Sequence, residues 1–122
     1  MSTMLSLFLF LTSASRADTP DFSKQHPVDL LKYLQKHCCA AVTVMITKED
    51  WITEADVQQL KKYLHDNRPA APVYNPLSSR LCTGKSTVKR EALYLIRGFQ
   101  EKRYPPDLCS TDFKWKSVKV PR

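Results

Sequence analysis

The sequence predicts a small α+β domain of about three helices and a small β-sheet, stapled by two disulfides. Three observations carry that expectation. Apolar residues recur at helical spacing in three places, a β-branched run separates the first two, and the four cysteines include an adjacent pair, Cys38 and Cys39. Neighbouring cysteines rarely bridge each other, because the bond geometry strains the backbone between them. Each must then reach a distant partner, and only Cys82 and Cys109 remain. Two pairings are open, 38–82 with 39–109 or 38–109 with 39–82. Either closes long loops, each worth roughly 3–5 kcal/mol on the chain-entropy account. Paired in this way, the cysteines hold a scaffold and leave no thiol for nucleophilic work.

The elements follow in chain order. Pro27 suits the first turn of a helix, and Val28, Leu30, Leu31, Leu34 and Cys38 continue it on one face. Ala41 to Thr47 is apolar and β-branched, and reads as a short buried strand. Thr53, followed by Glu54 and Asp56, opens a second helix with the stripe Val57, Leu60 and Leu64, which Arg68-Pro69 ends. Pro69 to Pro76 holds three prolines and reads as a linker or extended loop. A third helix begins near Ser86 or Thr87 and buries Val88, Ala92, Leu95, Ile96 and Phe99 until Tyr104-Pro105-Pro106 stops it. Cys109 then leads into an expected C-terminal strand through Phe113-Lys114-Trp115-Lys116, with aromatics on one face and cations on the other.

Residues 1–17 read as a signal peptide. The apolar run Met4–Leu11 is too short to span a bilayer, and Ser15-Arg16-Ala17 places small residues where a signal peptidase reads, with cleavage before Asp18. Residues 18–122 are then one secreted domain, small enough that its core gains from staples. All four cysteines fall in that part, as an oxidising compartment favours. Neither Asn67 nor Asn75 begins a glycosylation sequon, since Arg-Pro and Pro-Leu follow them.

Lys and Arg number 19 against 12 Asp and Glu, a formal charge of +7. Basic residues gather at Lys61-Lys62, Lys89-Arg90, Lys102-Arg103 and in the tail. Outside the cell such a surface meets acidic receptors, other glycoproteins and sulfated glycosaminoglycans, and no nucleic-acid module is visible. The tail residues Lys114, Trp115, Lys116, Lys119 and Arg122 form the expected partner-binding patch, because exposed tryptophan and cations suit an interface.

Constellations that resemble enzyme chemistry are incomplete. Gly84-Lys85-Ser86 ends like a phosphate-binding loop, but Ser79 stands where that motif needs glycine. The spacing of Phe22, Gln25 and His26 is similar to the amino-terminal helix of pancreatic-type ribonucleases, yet no histidine follows His65 to act with it. His65-Asp66 resembles the pair of secreted phospholipases A2, without a glycine-rich calcium loop in a chain of two glycines. His37, Cys38 and Cys39 are consecutive and poorly suited to one tetrahedral metal. No enzyme, cofactor or metal is expected.

A cysteine doublet behind a leader, followed by two further cysteines, resembles the CC chemokine pattern. The doublet-to-third spacing is longer than that family's, and little chain follows Trp115 to form its C-terminal helix. A second resemblance covers residues 74–95. Tyr74-Asn75-Pro76-Leu77, then Arg80-Leu81-Cys82-Thr83-Gly84-Lys85, then Ala92-Leu93-Tyr94-Leu95, resembles the chemokine-like subunit of the cytomegalovirus glycoprotein complexes that mediate penetration into host cells. One residue is inserted, at Thr83, and the doublet lies outside the match. The resemblance implies a secreted or virion envelope-associated betaherpesvirus protein that binds the viral glycoprotein H–L heterodimer and a host receptor, and that can act on leukocytes.

The expected function is therefore that of a secreted, non-enzymatic, chemokine-like ligand or viral glycoprotein-complex subunit. The alternative is a cationic host-defence protein that disrupts membranes. Its third helix would set Lys89, Arg90, Arg97 and Lys102 opposite the apolar stripe, with Glu91 and Glu101 diluting the basic face.

Overall fold

The computed structural model describes residues 20–38, 40–78 and 84–121. The expected leader, Cys39, Cys82 and Arg122 lie outside the described residues. Helix α1 (Pro27–Lys36) starts on Pro27, where a missing N–H costs nothing, and His26 N–H donates to Asp29 Oδ2 at 3.1 Å. Its buried face is Val28, Leu30, Leu31 and Leu34. Strand β1 (Val42–Thr43) follows. Helix α2 (Glu54–Leu60) is opened by a reciprocal cap: Asp56 N–H donates to Thr53 Oγ1 at 3.2 Å, and Thr53 N–H to Asp56 Oδ2 at 2.9 Å.

α2 is shorter than the sequence predicts. It tightens into a 3₁₀ turn at Lys61–Tyr63 rather than running to Arg68. The chain then serves the next helix. Asp66 O accepts from Lys89 N–H at 2.8 Å and Arg68 O from Val88 N–H at 2.9 Å, satisfying amides that a helix start leaves bare. Helix α3 (Val88–Glu101) has Thr87 as its cap, as expected, with Thr87 Oγ1 accepting from Arg90 N–H at 3.2 Å. It packs against both α1 and α2, and Val88, Ala92, Tyr94, Leu95 and Ile96 are fully buried.

The sheet content is smaller and more scattered than expected. The segment from Pro69 to Pro76 is no simple linker: it holds β2 (Pro69–Ala70) and β3 (Val73–Tyr74), with Ala70, Ala71 and Val73 buried. β3 pairs in parallel with β1 (Val42↔Val73), and β2 pairs antiparallel with β4 (Ser86–Thr87; Ala70↔Ser86). Strands of two residues tolerate proline because few ladder hydrogen bonds are at stake. Only Val42–Thr43 of the β-branched run is strand, although its alternation survives in buried Val44 and Ile46 and exposed Met45. Ile46 forms an isolated bridge to Tyr104.

The expected C-terminal strand is absent among the described residues. Trp115–Ser117 is a 3₁₀ turn, closed by Ser117 N–H and Ser117 Oγ donating to Lys114 O at 3.1 and 2.7 Å. These local bonds replace a strand partner. Cys38, just past α1, and Cys109, bridged to Tyr74 across β3, are both disulfide-bonded. The choice between the two pairings involves Cys39 and Cys82 and so lies outside the described residues. No described helix is long and apolar enough to cross a membrane.

Candidate functional site

Helix α3 carries the C-terminal segment on its outer side. Arg90 Nη1 donates to Thr111 O at 3.1 Å, and Arg97 Nη2 donates to Ser117 Oγ at 2.7 Å. The Tyr94 and Phe113 rings meet edge-on at 4.9 Å. Further along, Gln100 Nε2 donates to Lys119 O. Clamped in this way, Trp115 comes to rest beside the start of the helix. Lys89 Nζ lies 4.9 Å and Lys116 Nζ 5.6 Å from its ring centroid.

Two hollows flank the indole. One, of about 200 Å³, is lined by Asn67, Lys85, Thr87, Lys89, Arg90 and Trp115. The other is lined by Arg90, Phe113, Lys114, Trp115, Lys116 and Ser117. No carboxylate lines either one, so five cations surround Trp115 without an acid among them. A π face attracts an ammonium without neutralising it. The indole therefore positions Lys89 and Lys116 while leaving their charge to an outside anion. The face presents cations and an aromatic ring to an anionic surface.

Of the residues expected in the partner patch, Lys114, Trp115 and Lys116 come together here. Lys119 is exposed and held by its backbone carbonyl, and Arg122 lies outside the described residues. Lys85, Lys89 and Arg90 were not expected in this patch. Lys89-Arg90 stands out in the sequence only as a basic pair, and its proximity to Trp115 depends on the tail's path. A second exposed spot also escaped the sequence reading. Leu77 is 77% exposed and Leu108 45%. They flank the hydrogen bond from Asn75 N–H to Leu108 O at 2.9 Å, and Asn75 Oδ1 turns the chain by accepting from Leu77 N–H.

Glu91 is not the surface acid that the helical pattern implies. It is fully buried, and its Oε2 accepts from Ser86 Oγ and, at 2.6 Å, from Ser110 Oγ. Burial pushes its carboxyl up to about 7, although both hydroxyls and the Arg90 charge pull the other way. Ser86, third residue of the phosphate-loop look-alike, is thus spent inside the molecule. Asp66 of the His65-Asp66 pair is engaged by the Arg68 side chain, whose hydrogen bonds hold its carboxyl below the usual range. Among the described residues no three His, Cys, Asp or Glu side chains cluster to hold a metal ion.

No protein-family profile, curated protein or solved structure matches the chain.

Proposed function

We propose that this chain is a secreted, non-enzymatic, chemokine-like ligand or viral glycoprotein-complex subunit that binds an acidic surface of a partner protein through the face around Trp115. The observation that carries the reading is the set of five cations ordered about one tryptophan with no carboxylate in the lining. Interfaces concentrate their energy in anchors of this kind, an aromatic ring with cations around it. The bridges at Cys38 and Cys109 support the extracellular setting, and two internal bridges would rigidify the scaffold. The partner implied by the resemblance in residues 74–95 is the glycoprotein H–L heterodimer of a cytomegalovirus, together with a host receptor. The membrane-active alternative is weaker, because it needs the apolar stripe of α3, and Val88, Ala92, Leu95 and Ile96 are in the core.

The test is co-purification of the tagged chain from cells with and without glycoproteins H and L, on reducing and non-reducing gels. A complex that is retained by the wild type and lost in Trp115→Ala supports the reading. Secretion of the chain alone in both cases removes the viral partner. A complex indifferent to Trp115→Ala and Lys89→Glu removes the face.

A further inference from the structure

The smaller hollow beside Trp115 differs from the rest of the face in what lines it. Besides the indole, every side chain there can donate a hydrogen bond. Lys85, Lys89 and Arg90 bring ammonium and guanidinium groups, and Asn67 brings a carboxamide. Thr87 Oγ1 accepts from Arg90 N–H at 3.2 Å, which leaves its hydroxyl proton for another acceptor. The acids next in sequence to this lining are engaged elsewhere. Asp66 is held by the Arg68 side chain, and Glu91 is turned inward to Ser86 and Ser110. Val88 N–H and Lys89 N–H are taken by Arg68 O and Asp66 O, so recognition here falls to side chains rather than to the bare amides of a helix start. Two of the cations are also held in place. Arg90 Nη1 is fixed on Thr111 O at 3.1 Å, and Lys89 Nζ lies 4.9 Å from the indole centroid.

We infer, on the reading that the partner binds at the Trp115 face, that this hollow is a subsite for one terminal oxyanion ester: a sulfate or phosphate monoester on a side chain of the partner protein. Oxygen count decides between acids. A carboxylate has two oxygens, whereas a monoester ends in three, and the donors of Asn67, Lys85, Thr87, Lys89 and Arg90 match the larger set of lone pairs. Size decides between carriers. About 200 Å³ accommodates one such group with the start of its stem, whereas a polyanionic chain has to run on over Lys114 and Lys116. The neighbouring hollow, with Phe113 and Trp115 in its lining, gives an apolar stem a surface to lie on. Asn67 and Thr87 supply what charge alone does not, neutral donors that favour an oxygen in a fixed place.

The experiment is an NMR titration of the whole chain, its disulfides intact, with methyl phosphate and methyl sulfate. Malonate and acetate serve as carboxylates of matching charge, at constant ionic strength. The amides of Thr87 and Lys89 and the indole N–H of Trp115 report on the site. At least one ester should half-saturate these shifts at about tenfold lower concentration than its carboxylate match, and the better of the two names the ester. Lys85→Ala should weaken that ester at least about fivefold, while Lys116→Ala, which lines only the other hollow, should leave it within about twofold. Both lysines are exposed, so neither change threatens the fold. Esters no better than their carboxylate matches would overturn the subsite, as would equal losses in the two variants. A heparin oligosaccharide that binds, and loses as much in Lys116→Ala as in Lys85→Ala, would assign the face to a polyanionic glycan and overturn the protein-borne ester. No partner is present in the titration, so a failed subsite leaves the co-purification result standing, and a missing complex leaves the ester titration standing.

Discussion

The phenol of Tyr94 is bound twice by one residue: it donates to Asp107 O at 2.7 Å and accepts from Asp107 N–H at 3.2 Å. A side chain in the middle of α3 therefore fixes the backbone of the segment that leads to Cys109. Tyr94→Phe keeps the ring, which packs on Tyr104 and Phe113, and removes both bonds. Asp107 is exposed, so water recovers part of the loss. The expected cost is about 1–2 kcal/mol, read as a lower denaturation midpoint with an unchanged slope.

Gly98 is where α3 is crossed most closely by the returning chain. A Cβ there would stand 2.9 Å from Arg103 O and 2.9 Å from Tyr104 Cδ1, and the first of these is backbone that cannot swing aside. In an open helix Gly→Ala gains about 1 kcal/mol. Here overpacking outweighs it, and Gly98→Ala should destabilise by about 1–2 kcal/mol. Thermal unfolding checks the sign, which is opposite to what helix propensity alone predicts.

Four residues on, the opposite change should help. Lys102 closes α3 in the left-handed region with φ at 56°, where a Cβ is unwelcome, while its N–H still reaches Gly98 O and Phe99 O. Glycine adopts this conformation freely. Lys102→Gly is expected to raise stability by about 1 kcal/mol, measured as a higher melting temperature. The Trp115 face does not include Lys102, so partner binding should be unaffected.

Stability should fall as pH rises through neutrality. Glu91 has its carboxyl raised from 4.5 to about 7 in the folded chain, so the native state binds this proton more tightly than the unfolded state does. The contribution is fully present below about pH 4.5 and is lost progressively up to about pH 7, a change of about 3 kcal/mol at most. Asp21 and Asp66 act in the opposite sense and lower on the scale, since their carboxyls are held down by Ser23 and Arg68. Urea denaturation across this range should show wild type losing stability toward pH 8, with Glu91→Gln flat over the same interval.

The helices were legible because their signals are local. Pro27, Thr53 and Thr87 mark starts that need only the next few residues, and the α3 stripe repeats often enough to stand out. The strands were not. Val73 joins a sheet only because Val42 lies beside it, and two-residue pairings leave no periodic trace. The same limit divides the binding face. Lys114, Trp115 and Lys116 are neighbours in sequence, whereas Lys85, Lys89 and Arg90 join them through the path of the tail over α3. Glu91 misled for a related reason. Among Lys89, Arg90 and Arg97 it reads as one more charge on a wet face, and only the approach of Ser110 reveals it as interior.

The pairings of the short strands interlace along the chain. Val42 meets Val73, Ala70 meets Ser86, Ile46 meets Tyr104 and Tyr74 meets Cys109. Among the described residues, each pairing spans a stretch in which another pairing has one of its ends. Neither half of the chain holds a complete set of partners, so order is gained or surrendered in one cooperative step. A fragment ending before α3 would keep its helix-forming signals and its pairings at Val73 and Ser86 but lose the helix that α1 and α2 both pack against, and separately made halves should regain full structure only when mixed.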